Sequence, residues 1–262
     1  MSDSEYESYA VQISVIERQQ QLCTGCTGIS GCRQANPGMV PVVQVTNAGK
    51  FNCALKQCDK LRQKQAEDHL ARLFQYARIP KRYADASWDS YQITSDNERA
   101  VRAAKWVITE PQKGLYIYGG RGTGKTMLAS IIAKEKAAAG KTVLFESVSD
   151  LLSELRRSYQ ENKTAEIVAT AQKVPCLILD DLGAERMNEW VGEVLYSLIN
   201  YRYNEELQTI LTSNYKLDDL QHKMVTISKS GDRDTCQGQR ITSRIADLCY
   251  AVEITGQDRR GR

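Results

Sequence analysis

Gly119-Gly120-Arg121-Gly122-Thr123-Gly124-Lys125-Thr126 is the stretch that decides how this chain folds. It fits the pattern G-x-x-x-x-G-K-[ST] and lies between an apolar run at 115–118 and a helical period that follows it. Four glycines let the backbone wrap an anion, with its N–H groups and the helix N-terminus facing the charge. Lys125 then reaches the β and γ phosphates of a nucleoside triphosphate such as ATP, and the Thr126 hydroxyl is placed to ligate Mg2+. The plainer alternative is a glycine-rich turn followed by a chance Lys-Thr pair.

Outward from this loop the chain alternates short apolar runs with helical periods. Strands are expected at 115–118, 142–146, 176–179, 209–212 and 251–254, with helices between successive members. That alternation predicts an α/β fold with a central parallel five-stranded sheet covered by helices. Two helices, 149–160 and 164–173, are expected between the second and third strands, where one crossover helix would suffice. Upstream, 59–78 has helical spacing and ends before Ile79-Pro80. A mixed stretch with Tyr83, Trp88 and Tyr91 leads to Asp96, a candidate cap for a helix over 97–109.

The third run, Cys176-Leu177-Ile178-Leu179, ends in Asp180-Asp181. Two adjacent carboxylates beside an apolar core are costly unless a cation or solvent compensates them. A Mg2+ ion held through Asp180, with Asp181 orienting or deprotonating a water, would explain the pair; a strand emerging into a solvated turn at Gly183 is the alternative. Thr212-Ser213-Asn214 closes the fourth run. Functional residues of a parallel sheet gather at strand C-termini, so Asn214 would sit beside the γ phosphate unless it is an ordinary polar strand end. Arg240 and Arg244, four residues apart, share one helix face. Spacing alone favours a solvated basic face over a role in catalysis.

Composition separates a second unit. Of 262 residues 42% are hydrophobic and 26% charged, the balance of a folded globular chain and not of a disordered one. The net charge of +3 conceals an asymmetry: residues 1–17 carry four acids and no base, whereas 18–82 carry eleven bases against three acids. Cys23, Cys26, Cys32, Cys53 and Cys58 fall in the same early region. The acidic N-terminus lacks the basic start and apolar stretch of a signal peptide, and no run of about 18 apolar residues occurs, so a cytoplasmic chain without a membrane span is expected. In that compartment thiols stay reduced, and clustered cysteines read as metal ligands. Cys23, Cys26 and Cys32 with either Cys53 or Cys58 make a four-thiolate site for Zn2+; His69 is a more remote fourth ligand and an iron–sulfur cluster the other metal option. The domains expected are 1–60 around the cysteines, 61–96 as a helical linker and 97–262 as the nucleotide-binding domain.

Taken in order, the phosphate loop, Leu177-Ile178-Leu179-Asp180-Asp181-Leu182-Gly183-Ala184-Glu185, Thr212-Ser213-Asn214, Arg240 to Ile245 and Gly256-Gln257-Asp258-Arg259 resemble the DnaC/DnaI family of bacterial and phage helicase loaders, which are AAA+ ATPases. Cys23-x2-Cys26-x5-Cys32 and Ile79-Pro80-Lys81-Arg82-Tyr83 resemble the DnaI-like branch, whose N-terminal domain binds zinc and contacts the replicative helicase. The resemblance implies that Lys125 and Thr126 are the Walker A pair, Asp180 the Mg2+-binding Walker B acid and Asn214 sensor 1. Asp181 stands where most AAA+ ATPases have Glu. Arg244 matches the arginine finger that acts on a neighbouring subunit's ATP, which implies self-association, and Arg240 assists it. Cys58 fits the family's zinc pattern better than Cys53. The extra helix corresponds to an insertion that faces single-stranded DNA and holds Arg156, Arg157, Tyr159 and Lys163. The implied function is ATP-dependent loading of a hexameric replicative helicase onto single-stranded DNA. The alternatives are an IstB-like helper ATPase of transposition, normally without a cysteine-rich unit, and a nucleotide-gated adaptor with negligible turnover.

Overall fold

The computed structural model describes residues 3–45, 51–159, 163–227 and 233–259. The chain divides into two compact units, Met1–Ala71 and Arg72–Arg262. The first contains helix α1 (Asp3–Gln21), strands β1 (Met39–Val45) and β2 (Phe51–Gln57) and the start of α2 (Asp59–Tyr76). β1 and β2 form an antiparallel hairpin, from Met39 opposite Gln57 to Val45 opposite Phe51. Val-rich β1 is a natural strand, since β-branched side chains suit the pleat.

The second unit contains α3 (Glu98–Thr109), β3 (Gly114–Gly119), α4 (Lys125–Ala138), β4 (Val143–Ser147), α5 (Val148–Ser158), α6 (Thr164–Lys173), β5 (Cys176–Leu182), α7 (Glu189–Asn204), β6 (Gln208–Ser213) and α8 (Leu217–Lys223). The short pair β7 (Thr226–Ile227) and β8 (Arg233–Asp234) follows, then α9 (Cys236–Leu248) and β9 (Cys249–Ile254). Five strands form one sheet in the order β4-β5-β6-β3-β9, and every neighbouring pair is parallel. Each expected strand overlaps an observed one. Both expected insertion helices form, with Gln160, at the end of the first, outside the described residues.

Alternation along the strands builds two apolar layers. Leu115, Ile117, Val143, Phe145, Ile178 and Ile210 face α3 and α4, whereas Tyr116, Leu144, Leu177, Leu179 and Leu211 face α5, α7 and α9. Successive side chains of a strand point to opposite faces, so a sheet with helices on both sides needs apolar residues at nearly every position. The burial of Leu115, Tyr116 and Ile117 at 0% exposure meets that requirement.

A buried cation ties α6 and α7 to the sheet. Arg202 of α7 is fully buried, and its Nε donates to Thr209 Oγ1 at 2.8 Å. Its Nη1 donates to the carbonyls of Ala171, Gln172 and Val174 at 2.9–3.0 Å, and its Nη2 to Gln208 O at 2.5 Å. The first three are carbonyls at the end of α6, where helix dipole and unpaired acceptors both favour a cation.

The start of α3 departs from expectation. Asn97 occupies the cap position and Asp96 does not. The buried Asn97 side chain turns back, accepting from Thr94 N at 2.9 Å and donating to Gln92 O at 2.9 Å. It thereby shapes the 92–97 loop, while Asp96 O accepts from Thr255 N at 3.1 Å.

Candidate active site

β3 delivers the chain into the phosphate loop and α4 carries it away. Gly124, the N-cap of α4, has φ 101°, and no side chain caps the helix, so the amides of its first turn are open to an anion. A carbon added at Gly124 would lie 3.2 Å from Tyr91 Oη, and the left-handed φ itself favours glycine. Lys125, 7% exposed, points into the loop: its Nζ donates to Gly119 O at 2.9 Å, Gly120 O at 2.7 Å and Asn214 Oδ1 at 2.9 Å.

The two acids of β5 take different positions because the strand is irregular between them. Pairing with β6 shifts register between Leu179 and Leu182, and Asp181 adopts φ 61°, a conformation that Asp tolerates better than most residues. Asp180 is buried. Its Oδ1 accepts from Thr212 Oγ1 at 2.5 Å and its Oδ2 from Thr126 Oγ1 at 3.1 Å. Burial raises its pKa above the usual carboxylate range, and the Thr212 and Thr126 hydroxyls oppose that rise. Asp181 is exposed; its amide donates to Thr212 Oγ1 at 2.9 Å. Thr212 thus fixes both acids with one hydroxyl.

Asn214 joins the two halves of the site. Its Oδ1 accepts from Lys125 while its Nδ2 donates to Asp181 Oδ1 at 2.9 Å. An ammonium needs an acceptor and a carboxylate a donor, so only one orientation of the amide satisfies both. Gly119, Gly120, Arg121, Gly122, Thr123, Gly124, Lys125, Thr126, Asp180, Asp181 and Asn214 therefore lie around one centre at the C-terminal ends of β3, β5 and β6. The Thr126 hydroxyl beside Asp180 Oδ2 fits a Mg2+ site, since both are hard oxygen donors.

Arg244 is held elsewhere in the unit. Its Nε donates to Asn200 Oδ1 at 2.7 Å, and its guanidinium lies 5.0 Å from the Tyr196 ring centroid and 5.6 Å from that of Tyr203. Arg240 is exposed on the same helix. In the insertion, Arg156 and Arg157 are exposed, and the Arg156 guanidinium stands 5.0 Å over the Trp190 ring. Trp190 Nε1 donates to Tyr159 Oη at 2.7 Å, so an aromatic pair accompanies the basic residues.

A cleft of about 270 Å³ opens on the phosphate loop, lined by Arg82, Tyr91, Gln92, Met127 and Arg259 together with loop residues. Pattern reading did not assign these residues to the site, because a cleft wall formed by distant loops has no period. The isolated signals were the aromatic stretch around Tyr83 and Tyr91 and the unassigned Gly256-Gln257-Asp258-Arg259. Tyr91 is 4% exposed and its hydroxyl has no hydrogen-bond partner among the described residues; burial pushes the phenol up to about 12.

The cysteine unit gives a mixed result. Among the described residues no three His, Cys, Asp or Glu side chains form a group able to hold a metal ion, so the expected zinc-binding arrangement of Cys23, Cys26, Cys32 and Cys58 is not drawn together. Three of the sulfurs nevertheless accept hydrogen bonds: Cys23 from Gln34 Nε2 at 3.3 Å, Cys32 from Gly38 N at 3.3 Å and Cys58 from Leu61 N at 3.4 Å. The Gly38 amide, followed by that of Gln34, lowers the Cys32 pKa. Cys58 N also donates to Gly38 O at 2.8 Å, which links the Cys32 and Cys58 segments. Cys53 lies within β2 opposite Val43, five residues from Cys58 and roughly 16 Å away along an extended strand.

No helix among the described residues is long and apolar enough to cross a membrane. Comparison with known proteins places the geometry in a family. Residues 50–262 match the family of IstB-like ATP-binding proteins. The replicative helicase loader DnaI of Bacillus subtilis (strain 168) is 29% identical over 249 residues, covering 92% of this chain and 79% of the loader. A crystal structure of DnaI superposes with a TM-score of 0.58 at 34% identity, covering 70% of this chain and 94% of that one. The structure of the DnaC helicase loader gives 0.57 at 30% identity, covering 66% and 99%. The chain belongs to the IstB-like ATP-binding proteins, in the group that includes the DnaI and DnaC helicase loaders.

Proposed function

We propose that this chain is a cytoplasmic ATPase that loads a hexameric replicative helicase onto single-stranded DNA. The observation that carries this choice over an IstB-like transposition helper is the length of the match to DnaI. It covers 92% of the chain, more than residues 50–262 can supply, and so reaches into the cysteine-rich unit.

In this reading the loop amides and Lys125 hold the phosphates of ATP, and Thr126 and Asp180 hold Mg2+, which would neutralise charge developing on the transferred phosphoryl group. Asn214 keeps Lys125 and Asp181 in register, and Asp181 accepts the proton of the attacking water. Aspartate is one methylene shorter than the usual glutamate, which sets the carboxylate back and accords with slow, partner-stimulated hydrolysis. Arg244, oriented by Asn200 and Tyr196, serves a neighbouring subunit's nucleotide, so the active form is self-associated. Arg156, Arg157, Tyr159 and Lys163 contact single-stranded DNA through phosphates and stacked bases.

The N-terminal unit, with Zn2+ held by Cys23, Cys26, Cys32 and Cys58, contacts the helicase. Cysteine spacing supports this ligand set, and the bond between Cys58 N and Gly38 O, which links the Cys32 and Cys58 segments, favours Cys58 over Cys53. A small unit with little apolar core gains most of its stability from such a metal. The test is a pull-down with the replicative helicase, comparing the intact chain with one lacking residues 1–71. Loss of capture on truncation is expected, and retained capture would transfer the contact to the ATPase unit.

A further inference from the structure

Gly256-Gln257-Asp258-Arg259 supplies Arg259 to the wall of the cleft, and the segment lies directly on the phosphate loop. Arg259 N donates to Gly122 O at 3.1 Å. Gly122 has φ 71°, and a carbon added there would fall 1.7 Å from Asp258 Oδ1 and 2.2 Å from its Cγ. Such distances leave no room for a side chain at Gly122 while the Asp258 carboxylate keeps its position. Loop and tail are therefore fitted to each other at contact distance.

The same segment grips the loop before α3. Thr255 N donates to Asp96 O at 3.1 Å, and a carbon added at Gly256, φ 105°, would approach Asp96 Oδ2 to 2.9 Å. The Arg259 guanidinium donates to Gln92 O through Nη1 and to Thr94 Oγ1 through Nη2, both at 3.2 Å. Gln92 O also accepts from Asn97, so Arg259 and that buried amide share one acceptor. Gln92 and Arg259 both line the cleft above the phosphate loop.

We propose that residues 255–259 are a strap that positions the phosphate loop for nucleotide, with Arg259 as its positioning residue. The strap joins two segments distant in sequence, 92–96 and Gly122, across one wall of the nucleotide cleft. Its backbone bond to Gly122 O and the Asp258 carboxylate over Gly122 hold that residue in the left-handed conformation from which the following amides face the phosphates. The guanidinium holds the 92–94 segment by two charge-assisted hydrogen bonds, which are stronger than neutral ones. A preorganised loop binds ATP without first being ordered, so the strap acts on nucleotide affinity and leaves the proton-transfer geometry of Asp181 and Asn214 alone.

The inference rests on the reading of the phosphate loop as the ATP site, and the experiment separates the two. Arg259→Ala, Arg259→Lys, Gly122→Ala and Lys125→Ala chains are titrated with a fluorescent ATP analogue, and steady-state hydrolysis and thermal unfolding without nucleotide are measured in parallel. Arg259→Ala should weaken binding and raise KM about tenfold, as expected for lost charge-assisted bonds, with kcat within about twofold. Arg259→Lys should recover part of the affinity. Gly122→Ala, which displaces Asp258, should reproduce the loss in a chain whose arginine is intact. Unchanged affinity in Arg259→Ala and Gly122→Ala, beside a Lys125→Ala chain that no longer binds, would overturn the strap alone. Unchanged binding in Lys125→Ala would overturn the site on which it rests. A fall in kcat at constant KM in Arg259→Ala would also contradict the proposal.

Discussion

Lys125 Nζ and Asn214 Oδ1 lie 2.9 Å apart, although 89 residues separate them in the chain. The contact joins the phosphate loop to the end of β6, and Asn214 passes it on to Asp181 through its amide nitrogen. Replacing Asn214 by Ala removes both bonds and leaves the lysine and the acid without a common reference. Hydrolysis should fall about 10- to 100-fold in kcat, while ATP affinity changes less than about threefold, because the loop amides and Lys125 remain. Single-turnover hydrolysis with a parallel binding titration checks this split; a loss confined to affinity would assign Asn214 to binding alone.

Arg202 supports the fold and does not touch the site. Its guanidinium satisfies four backbone carbonyls and the Thr209 hydroxyl in a fully buried setting, and burial lowers its pKa to about 10. Arg202→Met keeps much of the volume but orphans those acceptors. A destabilisation of about 3–5 kcal/mol is expected, which for a unit of this size is a fall in Tm of roughly 10 °C. Calorimetry reads this directly, and an unchanged Tm would show that water replaces the guanidinium at no cost.

Of the fold, the five strands and the phosphate loop were legible because both have local signatures: apolar runs of fixed length, and glycines beside Lys-Thr. The Asp180-Asp181 pair was legible for a related reason, since adjacent carboxylates at the end of an apolar strand require an explanation. The role of Arg202 was hidden. A single arginine in a helical period reads as solvated, and its carbonyl partners lie 28–31 residues upstream and at Gln208. The Arg259–Gln92 and Arg259–Thr94 contacts span 167 and 165 residues and follow from topology, because β9 runs parallel to β3 and brings the tail to the loop. The N-cap of α3 falls at Asn97 and not at Asp96, and the Asn97 side chain turns back to the 92–94 loop, so no side chain caps the helix.

The insertion makes a prediction about DNA. Arg156 and Arg157 are exposed at the end of α5, beside the Tyr159–Trp190 pair. Replacing both arginines by Ala should weaken single-strand binding and lower the slope of log K against log salt by about 0.7 for each phosphate that is no longer neutralised. Fluorescence anisotropy on an oligodeoxythymidylate at several salt concentrations measures it. Unchanged affinity and slope would remove the insertion from the DNA path.

The cysteines can be separated by metal content. Cys58→Ser should cost the purified protein most of its zinc and its captured helicase, whereas Cys53→Ser, altered within an exposed strand position, should leave both near the parent level. Elemental analysis of protein purified without chelators decides between them. Equal zinc in the two variants would contradict the ligand set.

The central claim, ATP-dependent helicase loading, is tested most directly by counting replicative helicase hexamers retained on circular single-stranded DNA coated with single-strand-binding protein. The assay compares no added chain, wild-type chain and Lys125→Ala chain, all with ATP. Loading that rises severalfold with the wild type and stays at background with Lys125→Ala is the predicted result. Loading that is the same in all three reactions would contradict it.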